Sequence, residues 1–260
     1  MIKIEHVVLT SPEQMEFIIE GMRNPMNSWE KSDSGRCSSI YACDIHFDRC
    51  DKCIHSNKRI GGNFAIGDND HSLMQRLAKA GTDHRKFMRM MPVYVRITAP
   101  LYWWKEFDTY KIGTVANSCS TMHKIADKEF TLEDFSCEHL MDDELELMKD
   151  IIARLNENRL GFLELSNVDK TAFEKAPKVR KINSESLEKG IKRLWWQMIQ
   201  LLPSSYNQTR NVMMNYEVLA NIYKSRKNHK LDEWREFCKW IEELPYSELI
   251  IGNVKEKAHE

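Results

Sequence analysis

The sequence predicts an α+β fold with a small mixed or antiparallel sheet and a predominantly helical second half. The first observation is the alternation of apolar and polar residues over Val93–Ile97, which is the period of a half-buried strand. The second is a series of later segments with the apolar spacing of amphipathic helices. Hydrophobic residues make up 42% and charged residues 30% of the 260-residue chain, a composition that supports a folded core. A chain of this length suits one large domain or two small ones.

The first half begins with a predicted strand over residues 2–10. A helix should follow, because Ser11 is a favoured cap, Pro12 suits the first helical position and Gln14 completes a capping box. Asn24-Pro25 should end that helix. The further elements predicted here are a helix over 73–80 that Asp70 caps and Gly81 ends, a strand over 93–97, a helix over 101–107 and a loop over 112–121.

The second half is predicted to be helical, with one polar connection. Apolar residues line one face of each segment, and Pro203 and Pro245 end two of them. The polar and basic stretch Asn167–Asn183 should connect two helices. The predicted helices span residues 142–158, 184–202, 208–225 and 231–244.

Charge and hydropathy argue against two kinds of partner. The chain has 38 Lys+Arg against 39 Asp+Glu, a net charge of -1, so it has no overall attraction for nucleic acid or anionic lipid. No apolar run approaches the roughly 18 residues that span a bilayer, and the N-terminus lacks the pattern of a signal peptide. We expect a cytoplasmic protein that binds neither membrane nor nucleic acid directly, in which any anion site is local.

Four of the seven cysteines fall in one short stretch, at Cys37, Cys43, Cys50 and Cys53. Cys50-x-x-Cys53 has the spacing of half a zinc knuckle, and the other two cysteines, or a nearby histidine, would complete a tetrahedral site. Free thiols are the alternative in a reducing compartment. We expect a structural zinc here, and this cluster alone would support a zinc-stabilised interaction module.

Three other segments carry groups suited to a ligand site. Arg226 opens a basic cluster between two predicted helices and offers a bidentate donor for phosphate, although a solvated helix end has the same composition. The loop over 112–121 offers hydroxyl and N–H groups for an oxyanion or a pyrimidine edge, or serves only as a structural loop. His84 is a candidate base or flavin neighbour, or a surface residue. Walker A, GxGxxG, HExxH and nucleophile-elbow motifs are absent from the sequence.

The last helices and the central strand, helix and loop resemble the flavin-dependent thymidylate synthase family (ThyX). In that family a Leu-Pro precedes an Asn-Ala-Arg-Ser-Leu motif, then an Arg and a His-containing segment. Here Leu202-Pro203 leads to Asn215, Arg226 and His229 at similar spacing. Lys79–His84 is similar to the family's Gly-His segment. The resemblance covers most of the chain. It implies a single ThyX-like domain over residues 1–260, with the cysteine-rich residues 36–62 as an insertion.

The family's signature, Arg-His-Arg-x-x-Ser-x-Asn-Glu-x-Ser-x-Arg, falls on the segment that begins at Thr109, with several replacements. The positions that keep related chemistry are Lys111 for the second Arg, Thr114 for the first Ser, and Cys119 or Ser120 for the second Ser. Asn117 replaces the Glu. The other departures are Thr109, Tyr110 and Thr121 in the signature and Glu217 at the Arg of Asn-Ala-Arg.

The resemblance implies transfer of a one-carbon unit from methylene-tetrahydrofolate to C5 of dUMP, with hydride from reduced FAD and NADPH as the reductant. It also implies a homotetramer with sites shared between subunits. The implied residues are Thr114, Asn117, Cys119 and Ser120 for catalysis; Arg226, Lys111 and Ser120 for the nucleotide; and His84, Tyr110, Asn215 and His229 for the cofactor. A flavin would also need a stacking wall, for which Trp103, Trp104 and Tyr110 are candidates. A catalytically diverged ThyX-like nucleotide-binding protein and a pyrimidine nucleotide hydroxymethylase are the alternatives.

Overall fold

The computed structural model describes residues 2–36, 64–168 and 177–252, which form an α+β protein, as predicted. Its strands are β1 (Lys3–Leu9), β2 (Gly35–Arg36), β3 (Phe64–Ala65), β4 (Pro92–Pro100), β5 (Val115–Ser118) and β6 (Asn207–Asn215). Its helices are α1 (Pro12–Arg23), α2 (Asp68–Lys79), α3 (Lys86–Arg89), α4 (Leu101–Phe107), α5 (Asp142–Ser166), α6 (Pro177–Leu201), α7 (Tyr216–Arg226), α8 (Asp232–Glu242) and α9 (Glu248–Ile251). None of the helices in these ranges combines the length and apolarity needed to cross a membrane.

The main sheet is antiparallel and has four strands in the order β1-β4-β6-β5. In β4 the buried residues Val93 and Val95 alternate with the exposed residues Tyr94 and Arg96, so one face of the strand lies in the core. This alternation confirms the predicted strand over 93–97. Strands β2 and β3 form a separate antiparallel pair.

The start of α1 follows the predicted capping box. The Gln14 N–H donates to Ser11 Oγ at 3.3 Å, and the Ser11 N–H donates to Gln14 Oε1 at 2.8 Å. Pro12 occupies the first helical position, and the helix ends at Arg23, just before Asn24-Pro25. Local sequence chemistry is therefore sufficient to define this element.

The predicted start of α2 is wrong, because Asp70 does not cap the helix. The helix begins at Asp68, and a carboxylate distant in sequence supplies the cap: Asp33 accepts from the N–H groups of Asn69 and Asp70 at 2.9 and 3.0 Å. The approach is so close that a Cβ on Gly67 would lie 2.1 Å from Asp33 Cγ. Asp70 itself is buried and accepts from Arg23.

Four other predicted boundaries in the later chain are wrong. Helix α5 ends at Ser166, eight residues beyond its predicted end. The loop over 112–121 contains strand β5, and α6 begins at Pro177, inside the predicted connection and before the predicted cap at Ser184. The predicted helix over 208–225 is strand β6 followed by α7. Cross-strand pairing accounts for the strand, since the hydroxyls of Thr98 and Thr209 lie 2.7 Å apart on β4 and β6.

The described residues divide into two compact units. The first comprises 98–105, 118–168 and 177–209, and its core lies where α5 packs on α6, with Leu155 and Met198 fully buried. The second comprises 2–36, 64–97, 106–117 and 210–252 and contains most of the smaller helices. The single domain stays a prediction. The insertion at 36–62 stays one too, because most of it lies outside the described residues.

Candidate functional site

The second unit contains a compact group of polar and aromatic side chains around Arg226, at the end of α7. The guanidinium Nη1 donates to Glu106 Oε2 at 2.5 Å, and Nε donates to Tyr110 Oη at 3.0 Å. The guanidinium carbon also lies 4.8 Å from the ring centroid of Trp234 and 5.7 Å from that of Tyr110. We call Glu106, Tyr110, Arg226, His229 and Trp234 the Arg226 cluster.

Glu106 is the acceptor that joins this cluster. Its Oε2 accepts from Arg226 and from the indole N–H of Trp234 at 2.9 Å, and His229 Nε2 lies 3.4 Å away. His229 Nδ1 accepts from the Leu231 N–H at 3.2 Å. A neutral His229 therefore carries its proton on Nε2, toward the Glu106 carboxylate.

Helix α8 and the turn before it fix the positions of Trp234 and His229. Trp234 is fully buried and packs against Phe107, with nearly parallel rings 6.4 Å apart. The guanidinium of Arg235 donates to the carbonyl oxygens of His229 and Lys230, both at 2.9 Å. These bonds hold the turn between α7 and α8 in one conformation.

The predicted basic cluster beginning at Arg226 consists of residues in different environments. The Arg226 side chain is 19% exposed, whereas Lys227, Asn228 and Lys230 lie at the surface. The aromatic and acidic partners of Arg226 come from α4, the segment after it and α8, so spacing within the cluster does not reveal them. Glu106 is the principal residue that the sequence reasoning missed, and it carries no motif signal.

The signature segment also spans residues of different character. Lys111 and Asn117 are exposed, whereas the Thr114 hydroxyl is buried and has no hydrogen-bond partner among the described residues. A buried hydroxyl of this kind is ordinarily paired with water or a ligand. Thr114 is therefore the member of this segment whose environment best suits a ligand contact in the second unit.

Cys119 and Ser120 lie in the first unit and are both exposed. The Cys119 N–H donates to the Thr209 carbonyl at 2.9 Å, which continues the strand pairing beyond β5. Ser120 Oγ accepts from the His123 N–H at 3.0 Å. Both residues have structural contacts, and their catalytic roles stay predictions.

Asn215 occupies the cap of α7. Its Oδ1 accepts from the Val218 N–H at 3.0 Å, as expected of a favoured capping residue. Gly113 lies against it with a φ of 77°, and a Cβ there would lie 2.9 Å from Asn215 Nδ2. Asn215 thus connects the segment that contains Thr114 to the start of α7.

Glu217 follows directly and is held between two arginines. Arg85 Nε donates to Glu217 Oε1 at 3.0 Å, and Arg89 Nε donates to the other carboxylate oxygen. Burial by itself raises the pKa of Glu217, but hydrogen bonds from Arg89 and Arg85 outweigh burial and leave the pKa lowered. The Glu217 carboxylate is thus shared by two guanidinium groups.

A cavity of about 300 Å³ opens beside Arg85. Its cationic lining residues are Lys79, Arg85, Lys224 and Lys227, and we call it the cationic cavity. The Glu248 carboxylate, which also lines it, is 2.6 Å from His71 Nε2. Four cationic side chains on one concave surface provide hydrogen-bond donors for an anion such as phosphate. His84, which precedes Arg85, is exposed.

Two of the three candidate aromatic walls are enclosed in the protein. Trp103 and Trp104 are each at most 1% exposed, and the indole N–H of Trp104 donates to the Gln208 carbonyl at 2.9 Å. A planar ligand has no access to rings that the core already covers. Tyr110 is half-buried and stays the candidate.

The predicted zinc ligands Cys37, Cys43, Cys50 and Cys53 lie outside the described residues. Within residues 2–36, 64–168 and 177–252, no group of three or more His, Cys, Asp and Glu side chains is arranged to hold a metal ion. The structural zinc stays a prediction.

Comparisons with known proteins relate the chain to one fold. No protein-family model matches the sequence, and no curated protein matches it. A structure of ThyX from Helicobacter pylori with FAD and dUMP matches with a TM-score of 0.56 and 14% identity, over 94% of this chain and 96% of that one. A second structure of ThyX from the same organism, also with FAD and dUMP, matches with a TM-score of 0.51 and 15% identity over 95% of each chain. The chain therefore has a ThyX-like fold.

Proposed function

We propose that the protein binds a pyrimidine deoxynucleotide at the Arg226 cluster and catalyses flavin-dependent one-carbon transfer to C5 of the base, of the dUMP-to-dTMP type. The observation that carries this proposal is the geometry of Arg226, a partly buried guanidinium whose carbon lies 5.7 Å from the ring centroid of Tyr110 and 4.8 Å from that of Trp234. The fold adds support, since Helicobacter pylori ThyX has been solved with FAD and dUMP.

In this proposal the residues of the cluster and the signature segment have separate tasks. Arg226 donates hydrogen bonds to the nucleotide, and Lys111 adds positive charge at the surface. The buried hydroxyl of Thr114, which has no hydrogen-bond partner in the described part of the chain, donates to the pyrimidine, where negative charge develops during substitution at C5. Asn117, Cys119 and Ser120 stay the other catalytic residues that the ThyX resemblance implies.

The cofactor site is proposed to use both the cationic cavity and the residues beside it. Arg85 and Lys224 would hold the phosphates of FAD by charge, and His84 and Asn215 would contact the flavin. Tyr110 and His229 complete the proposed cofactor residues. When bound, the reduced flavin supplies the hydride. NADPH and methylene-tetrahydrofolate are the proposed co-substrates, and a homotetramer the proposed assembly.

A second candidate function is nucleotide binding without catalysis. It is favoured by Glu217, because a carboxylate engages both Arg85 and Arg89 at a place where the ThyX resemblance implies an arginine. Pyrimidine binding is common to both candidates, and flavin dependence separates them.

The shared claim is tested by calorimetric titration of dUMP into the wild type, Arg226→Ala and Arg154→Ala. Arg154 is a matched control, since it is an exposed arginine whose ion pair among the described residues is with Glu157, three residues away. We expect Arg226→Ala to weaken binding at least about tenfold, because charge-assisted hydrogen bonds contribute roughly 1.5–3 kcal/mol. Arg154→Ala should bind as the wild type does. Equal affinity of Arg226→Ala and wild type would exclude this site.

A further inference from the structure

Arg23, the last residue of α1, is a buried arginine with one unused nitrogen. Its Nε donates to Asp70 Oδ1 at 2.6 Å, and its Nη1 donates to the carbonyl and the hydroxyl of Ser28 at 3.2 and 3.3 Å. Nη2 has no hydrogen-bond partner among the described residues, although the side chain is only 3% exposed. A buried donor of this kind is ordinarily paired with an ordered water or a ligand.

A cavity of about 220 Å³ borders this arginine, and we call it the α1 cavity. Helix α1 contributes Glu16, Ile19, Glu20 and Arg23 to its lining, because residues three and four apart share one face of a helix. Ile19 and Phe64 give the cavity buried apolar surface. The volume is below the roughly 300–1,000 Å³ of sites for drug-sized molecules, so the α1 cavity suits a smaller ligand.

The charges around the α1 cavity favour a cation over an anion. The positive charge of Arg23 is already balanced by the buried carboxylate of Asp70. Glu16 and Glu20 add negative charge to the lining, and both residues are exposed, so they lie where the cavity meets solvent. An anion entering the cavity would therefore meet a surplus of negative charge, whereas a cation would be attracted.

We propose that the α1 cavity binds a small organic cation that carries both a primary ammonium group and a carbonyl oxygen, as an amino-acid amide does. The carbonyl oxygen accepts from Arg23 Nη2, the ammonium group faces Glu16 and Glu20, and an aliphatic side chain packs against Ile19 and Phe64. None of these residues belongs to the site proposed for the nucleotide or to the cationic cavity, so this inference does not depend on the proposed function.

Three ligands test the two polar contacts without altering the buried arginine. L-Leucinamide has the ammonium group, the carbonyl oxygen and an aliphatic side chain. Isopentylamine has the same side chain and the ammonium group but lacks the carbonyl, and N-acetyl-L-leucinamide has the carbonyl but no charge. Dissociation constants are measured by calorimetric titration of the full-length protein at about pH 7, where a free α-amino group is mostly protonated.

We expect L-leucinamide to bind at least about tenfold more tightly than either of the other two ligands, because each of them lacks one charge-assisted contact. Equal affinities of L-leucinamide and isopentylamine would exclude the contact with Arg23 Nη2. Equal affinities of L-leucinamide and N-acetyl-L-leucinamide would exclude the role of the glutamates. Either result would overturn the proposal, and so would the absence of saturable L-leucinamide binding, which would leave Nη2 to ordered water.

A charge variant tests whether the α1 cavity is the place of binding. The double variant Glu16→Gln with Glu20→Gln changes exposed positions of α1 and leaves its buried face intact. It should weaken L-leucinamide and isopentylamine by the same factor, about tenfold, and leave N-acetyl-L-leucinamide unchanged. Glu30→Gln is the matched control, because Glu30 is exposed nearby in the sequence but does not line the cavity. An unchanged affinity in the double variant, or an equal loss in Glu30→Gln, would place the ligand elsewhere and overturn the proposal.

Discussion

Asp70 lies fully buried in α2, and its carboxylate holds α1 and the segment after it against that helix. Arg23 Nε donates to Oδ1 at 2.6 Å, and Oδ2 accepts from the hydroxyls of Ser32 and Ser34 at 2.7 and 2.6 Å. Arg23 is itself 3% exposed at its side chain, and its Nη2 has no hydrogen-bond partner within the described ranges. Asp70→Ala would leave this guanidinium without its counter-ion.

We expect Asp70→Ala to lower the free energy of unfolding by about 3–5 kcal/mol, the cost of breaking one side of a buried ion pair. That is a large share of the roughly 5–15 kcal/mol that stabilises a typical domain. Urea denaturation at neutral pH measures the change. The control Asp108→Asn breaks the ion pair of Asp108 with Arg210, in which the aspartate is 52% exposed. It should lower the free energy of unfolding by at most about 1 kcal/mol.

The same site predicts a pH dependence. Burial raises the pKa of Asp70, but hydrogen bonds from Ser34, Ser32 and Arg23 outweigh it and leave the pKa below its ordinary value. A lowered folded-state pKa contributes stability above the unfolded pKa of about 3.9, and this is lost as pH falls through the folded value. The stability gap between wild type and Asp70→Asn should therefore narrow in acid. A gap independent of pH, or an Asp70→Ala cost below about 1 kcal/mol, would refute this reasoning.

Two further predictions concern local structure. Ser11→Ala should destabilise the protein by about 1 kcal/mol in urea denaturation, because it removes the capping box of α1; an unchanged midpoint would contradict the cap. Gly113→Ala should lower the free energy of unfolding by more than about 1 kcal/mol, because a φ of 77° is strained for any residue with a Cβ and the added Cβ would lie against Asn215. Gly21→Ala is its control, with nothing within 4 Å of the new Cβ, and equal effects of the two glycine variants would show that position 113 is not strained.

The parts of the fold that the sequence predicted correctly depend on residues that are close together in the sequence. Ser11, Pro12 and Gln14 carry the start of α1 within four positions, and the alternation around Val95 belongs to β4 alone. Both signals are present before the chain folds. The same holds for Asn215, a favoured capping residue directly before α7.

The errors arise where distant residues decide the structure. Strand β6 contains methionine and glutamine, which favour helices, and its strand conformation depends on pairing within the sheet. The cap of α2 comes from Asp33, far back in the chain, so the local candidate Asp70 was misassigned. Intrinsic propensity cannot indicate either outcome, because it contains no information on tertiary contacts.

The candidate site shows the same division. Arg226 was found because it lies in a spaced pattern with Asn215 and His229. Glu106 was missed because a glutamate in a short aromatic helix has no motif, and only the fold brings it to Arg226. The reversal of charge at Glu217 was visible in the sequence, but its compensation by Arg85 and Arg89 was not.

Release of tritium from C5-labelled dUMP tests the central claim most directly, since substitution at C5 must expel that hydrogen. The wild-type protein is incubated with FAD, NADPH and methylene-tetrahydrofolate, and each component is omitted in turn. We predict release that requires FAD and is lost in Arg226→Ala but kept in Arg154→Ala. No release from a sample that binds dUMP would contradict the catalytic account and leave nucleotide binding as the function.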